Sequence, residues 1–148
     1  PDDAQAEASM RALLLEIDRT AALGADTLRL NGRDIPVRAR GNGVIWFDFE
    51  ALCDGPRSKV DYVELSRSFH TLLLSGIPRF DTENEDAARR LVELIDELYD
   101  RRVNVIVSAA APANELYQGD RLAEDFVRTA SRLHEFQSED YLASAHRP

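Results

Sequence analysis

Residues Thr82 to Pro112, TENEDAARRLVELIDELYDRRVNVIVSAAAP, constrain the fold of this chain more than any other stretch. Ala88, Leu91, Val92, Ile95, Leu98 and Tyr99 recur at helical spacing and make one apolar stripe, so the helix should lie against a sheet. Thr82, with Glu85 three residues later, reads as its N-terminal cap. After the basic turn Arg101-Arg102 comes Val103–Val107, a short buried strand. Helix then buried strand is the second half of a parallel βαβ unit, whose crossover is right-handed. The first strand of the unit is His70–Leu74, closed by Ser75-Gly76-Ile77-Pro78. Ligands of such sheets gather at the carboxyl ends of the strands, which points to Val107-Ser108-Ala109. No Gly-rich phosphate loop precedes the unit.

Upstream the period changes. Met10, Leu13, Leu14 and Ile17 fall at helical spacing, with Gly24 as a stop. Thr27–Leu30, Ile35–Ala39 and Val44–Phe49 are β-prone runs separated by Asn31-Gly32 and Gly41-Asn42-Gly43. Asn-Gly favours a tight hairpin because both residues tolerate positive φ, and Pro36 implies one amide outside the ladder. A polar turn spans Leu52 to Ser58, and a helix starts near Asp61 with Glu64 as its capping partner. A long helix covers about Arg121–Phe136, and a further turn or helix runs from Ser138 to about Ala145. The expected fold is α/β or α+β. A three-stranded antiparallel meander joins a parallel βαβ core, with an N-terminal helix (1–24) leading into a C-terminal α/β domain (25–148).

At 148 residues a single domain can bury about 70% of its unfolded surface. A net charge of -9 argues against unaided binding to nucleic acid or anionic lipid. Nearly all basic residues are arginine; Lys59 is the one lysine, and the Arg-rich composition fits a bacterial origin. The single cysteine, Cys53, excludes an internal disulfide and a Cys-based zinc site, and its apolar setting marks it as core. No apolar run nears the ~20 residues that span a bilayer. A start at Pro1 suggests a piece of something longer, in a reducing, soluble compartment.

Few residues advertise chemistry. Leu94-Ile95-Asp96-Glu97 invites comparison with the acid pair that holds magnesium in P-loop ATPases. That chemistry requires an apolar strand delivering the acids to its carboxyl end, whereas these lie within a helical period and read as a solvated face. His70, His134 and His146 share no ligand spacing, so no metal site is expected. Ser108 lacks a G-x-S-x-G elbow, so no catalytic residue is assigned. Glu124, Arg128 and Arg132, spaced by four, form either an i,i+4 ion-pair ladder or a fork aimed at a phosphate or carboxylate. Arg89 and Arg90 are weaker candidates, with Glu85, Asp86 and Glu93 at hand to neutralise them. Tyr62, Trp46 and Phe69 read as core aromatics, with an aromatic contact surface as the alternative.

Several blocks taken in order resemble one family. They are LNGRDIPV (30–37), FDFEALC (47–53), DYVELSRSFHTLLLSGIP (61–78), ARRLVELIDELYDRRVNVIVSAAAP (88–112), ELYQGDRLAEDFVRTASRLHEFQSEDYL (115–142) and a terminal His146. They resemble the C-terminal portion of the ZapE-type, AAA-like P-loop cell-division ATPases, related to the mitochondrial lactation-elevated-protein ATPases. In that family the Gly-Lys-Thr loop and the acidic magnesium strand lie upstream of the portion resembled. The resemblance implies a parent ATPase using ATP and magnesium, with this chain as a C-terminal, non-hydrolysing domain that supports or regulates the core and mediates partner contacts. It implies as partners the upstream ATPase core and, through the division ring, FtsZ or other division proteins, with oligomers open. The implied location is cytoplasmic or peripheral at the inner membrane or division site. Arg128 and Arg132 match the family's F-x-R-T-x-S-R-L block, which implies a nucleotide-sensing role in the parent or a clamp onto its core. The alternative is a free-standing interaction or adaptor domain that uses a sheet edge or a Tyr62/Phe69 surface.

Overall fold

A computed structural model describes residues 3–55 and 57–136. Pro56, the expected turn or helix at 138–145 and His146 lie outside the described residues. The elements in order are α1 (Asp3–Ile17), β1 (Ala22–Leu30), β2 (Arg33–Arg40), β3 (Val44–Asp48), α2 (Phe49–Cys53) and α3 (Lys59–Ser68). They continue with β4 (Thr71–Ile77), α4 (Glu85–Asp100), β5 (Asn104–Ala109), a 3-10 turn (Ala113–Glu115) and α5 (Ala123–Glu135).

The five strands form one sheet in the order β1-β2-β3-β4-β5. β1, β2 and β3 are antiparallel neighbours, while β3, β4 and β5 run parallel. The meander and the βαβ core therefore share β3, as the mixed α/β reading requires. Leu30 pairs with Arg33 across Asn31-Gly32, whose φ values of 49° and 83° make the tight hairpin that Asn-Gly favours. Pairing of β2 with β3 covers only Ala39↔Trp46 and Arg40↔Ile45, so Pro36 sits beyond that ladder and costs it no hydrogen bond.

Two helical layers cover the sheet unequally. On one face α2, α3 and α4 bury Phe47, Leu72, Leu74 and Val105 together with Leu52, Tyr62, Leu65 and the α4 stripe. Each such side chain contributes about 1.5–3 kcal/mol by leaving water. On the other face, among the described residues, only α1 packs, with Met10 and Leu14 against Ala39, Val44, Trp46 and Leu73. Arg38 of β2 secures α1: its guanidinium donates to Glu7 and, at 2.9 Å, to Asp48, and lies 4.5 Å over the Trp46 ring.

Four local expectations are corrected. Gly24 does not stop α1, which ends at Ile17 where Asp18 accepts from the Thr20 amide. Gly24 instead lies inside β1, at a register shift between Leu23 and Asp26, with φ 120°. The capping box of α3 is Ser58 with Asp61, not Asp61 with Glu64. α4 begins after Asn84 rather than Thr82; the Asn84 carboxamide oxygen accepts the Asp81 amide and tightens the preceding turn. The run Val44–Phe49 also ends sooner, because Phe49 opens the short α2, so helix occupies part of the expected polar turn.

Candidate functional site

The two arginines singled out on sequence grounds meet at one carboxylate. α5 packs against α4, so Arg128 and Arg132, one turn apart, both reach Asp96 on the α4 flank. Arg128 Nε donates to Asp96 Oδ1 and Nη2 to Oδ2, each at 3.1 Å, a forked bond of the kind carboxylates favour. Arg132 Nη1 donates to the same Oδ1, and its guanidinium stacks 4.5 Å from the Tyr99 ring centroid. Tyr99 OH donates to Glu135 at 2.7 Å and thereby joins the two helices again. The hydrogen bond to Asp96 holds the Arg128 pKa above its ordinary value, against the opposing effect of burial. The bond to Glu135 likewise raises that of the Tyr99 phenol.

The Glu124–Arg128–Arg132 ladder does not form. Arg128 turns to Asp96 and to Asp125 on its own helix. Asp96, read as a solvated acid, is the hub of the α4–α5 contact. The cleft around it is lined by Lys59, Arg128 and Arg132 and by Glu93, Asp96, Glu97 and Asp100. Three cations against four carboxylates make a balanced polar seam rather than a cationic pocket. A phosphate could gain both forks only by displacing Asp96. Arg89 and Arg90 lie about two turns before Asp96 on α4 and do not line this cleft.

The aromatic alternative is corrected. Trp46, Tyr62 and Phe69 are buried and present no contact surface. Trp46 Nε1 donates to Ser75 at 2.7 Å, and Tyr62 OH donates to the Leu52 carbonyl at 2.6 Å. Burial pushes the Cys53 thiol up to about 12, so it stays protonated and unreactive at neutral pH. His70 shares a bond with Thr71 at 2.8 Å, and its ring covers Gly43 so closely that no Cβ could fit there. At the strand ends Ser108 accepts the Gly76 amide at 3.0 Å, and no base stands beside it to make it a nucleophile. Among the described residues no group of three or more His, Cys, Asp or Glu could hold a metal ion, and no helix is long and apolar enough to cross a membrane.

One acid was missed. Asp48 ends the apolar run Val44-Ile45-Trp46-Phe47 at the carboxyl end of a central parallel strand, the placement a magnesium-binding acid needs. The signal was present in VIWFD, but that run was read only as part of an antiparallel meander. Arg38 neutralises Asp48, so here the strand-end acid serves to anchor β2 and α1.

α5 is oriented by a second network. Tyr117 OH donates to Glu85 and accepts the Leu122 amide at 2.8 Å, which fixes the chain as it enters the helix. Phe49, Phe80, Phe126 and Tyr117 form a continuous chain of ring contacts, tilted except for the stacked Tyr117–Phe126 pair, with centroids 5.2–5.7 Å apart, tying α2, the loop after β4 and α5 together.

Comparison with known proteins gives this arrangement a family. A family model described as AFG1-like ATPase matches residues 1–145. The chain is 40% identical over 142 residues to cell division protein ZapE of Escherichia coli (strain K12), covering 96% of this chain and 38% of ZapE. It is 31% identical over 152 residues to Lactation elevated protein 1 homolog B of Danio rerio, covering 81% of this chain and 30% of that protein. The chain thus spans well under half the length of these relatives. No solved structure matches it. A family model that covers nearly every residue, with ZapE aligned over the same span, shows that the chain belongs to the AFG1-like ATPase family.

Proposed function

We propose that this chain is the C-terminal, non-hydrolysing part of a ZapE-like P-loop ATPase linked to cell division, supporting or regulating the nucleotide-binding core. One observation carries the reading. Phosphoryl transfer in P-loop enzymes depends on a lysine that follows a glycine-rich loop and reaches the β- and γ-phosphates. The one lysine here, Lys59, follows Ser58 at the start of α3 and reaches Glu97 at 3.7 Å. No G-x-x-x-x-G-K-[ST] run occurs in the 148 residues. ATP and magnesium then belong to the core of the parent protein, while this part mediates partner contacts, with FtsZ or other division proteins as candidates, at a cytoplasmic or inner-membrane site.

Within that reading Arg128 and Arg132 are structural: Asp96 occupies both, and they hold α5 against α4. The experiment is phosphate release from the purified chain with ATP and magnesium, beside the full-length parent. The chain should match buffer while the parent turns over. Release by the chain above background would overturn the proposal.

A further inference from the structure

Parallel strands are ordinarily covered on both faces and shielded at their edges. The β3-β4-β5 half of this sheet is covered on one face by helices α2 to α4, but on the other, among the described residues, by α1 alone. α1 crosses over Trp46 and Leu73 and leaves a crevice of about 840 Å³ beside β5, between Ser9, Met10 and Leu13 on one side and Gly76, Ile106 and Ala109 on the other. None of the described residues lining it is charged, in a chain where 30% of residues are.

β5 is also an edge strand. The Asn104 amide donates to the His70 carbonyl at 2.8 Å, so by the alternation of a parallel ladder Val105 and Val107 turn their backbone groups outward. The sequence NVIVSA gives this edge no lysine, proline or charge. β1, the opposite edge, is broken at Gly24 and carries Asp26 and Arg29. One edge is guarded against pairing and the other is not.

We infer that the α1–β5 crevice and the outer edge of β5 form the seat of the parent protein's own nucleotide-binding core, one of whose strands pairs with β5. The inference rests on the reading of the chain as part of a longer ATPase. Two observations select this occupant. The crevice lining mixes apolar side chains with Gln5, Ser9 and Ser108 and carries no charge among the described residues, the charge-depleted composition of an interface core. And the match covers 38% of ZapE, so that most of that relative's polypeptide lies outside it and is available to cover such a seat. A small ligand is disfavoured because it needs convergent polar anchors, and Ser108 is already engaged by Gly76.

The test is amide hydrogen exchange at Val105 and Val107, in the chain alone and in the full-length parent. In the parent both should exchange at least about tenfold more slowly, with β1 amides unchanged. Equal rates in the two proteins overturn the inference. So does protection in the chain alone that grows with concentration alongside dimer formation, which assigns the seat to a second copy. Ser9→Arg, on the exposed flank of α1, should leave the melting temperature of the chain unchanged while removing the protection at Val105 and Val107 in the parent. Ala8→Arg, outside the crevice, should leave that protection intact. Protection that survives Ser9→Arg also overturns the inference. Phosphate release by the chain alone defeats the non-hydrolysing reading but leaves the exchange comparison standing; equal exchange without release defeats only the docking seat.

Discussion

At the scale of residues, Asp96 is the position on which most depends. Removing its carboxylate leaves the two α5 guanidiniums without their partner on α4, and Arg132 loses the group that holds it on Tyr99. The side chains are partly exposed, so solvent repays some of the loss. Asp96→Ala should therefore destabilise the chain by about 1–2 kcal/mol, read in a urea melt. A double-mutant cycle of Asp96→Ala with Arg132→Ala should return a coupling above about 0.5 kcal/mol. In the full-length parent, Arg132→Ala should lower melting temperature and turnover together. Loss of turnover at unchanged melting temperature would assign Arg132 to nucleotide sensing instead. Ser58→Ala offers a simpler check of the corrected α3 cap. It removes one half of the capping box with Asp61 and should cost about 1 kcal/mol, whereas Glu64→Ala should cost little.

At the scale of elements, α1 is the least firmly attached piece, held by Met10, Leu14 and the Glu7–Arg38 pair. The hydrogen bond from Arg38 holds the Glu7 carboxyl below its ordinary value. A depressed carboxyl contributes stability that is fully present above the unfolded pKa, about 4.3, and is lost as pH falls through the lower folded value. α1 should thus loosen below about pH 4. Trp46, the one tryptophan, sits under Arg38 and reports the change by fluorescence. Glu7→Gln should flatten that acid transition, and an unchanged profile would show that the pair does not hold α1.

Helix α4 and its strand were legible because a strong apolar stripe and a buried run admit few alternatives, and Asn31-Gly32 was legible because its turn chemistry is local. What escaped was set by tertiary context. Gly24 looks like a helix stop until the strand around it is known, and Asn84 outcompetes Thr82 as a cap through its bonds to Asp81 and Arg79. Phe49-Glu50-Ala51-Leu52-Cys53 is too short to show a helical period. Asp48 and Asp96 were misjudged for one reason. Each is defined by an arginine 10 or more residues away, and pattern within a window cannot see it.

At the scale of the whole molecule, the described residues form a mixed sheet with one closed face, one half-covered face and one edge without lysine, proline or charge. Three of the chain's arginines are held by carboxylates within the fold, Arg38 by Glu7 and Asp48 and Arg128 and Arg132 by Asp96. The sequence resemblance and the family match name the same family, the AFG1-like ATPases. The account stands or falls on whether the chain by itself recognises nucleotide. Isothermal calorimetry of ATP with magnesium into the 148-residue chain decides it. No saturable heat should appear up to about 1 mM, a limit near -4 kcal/mol of binding free energy. Saturable one-to-one binding tighter than about 100 μM, abolished by Arg128→Ala or Arg132→Ala, would contradict it.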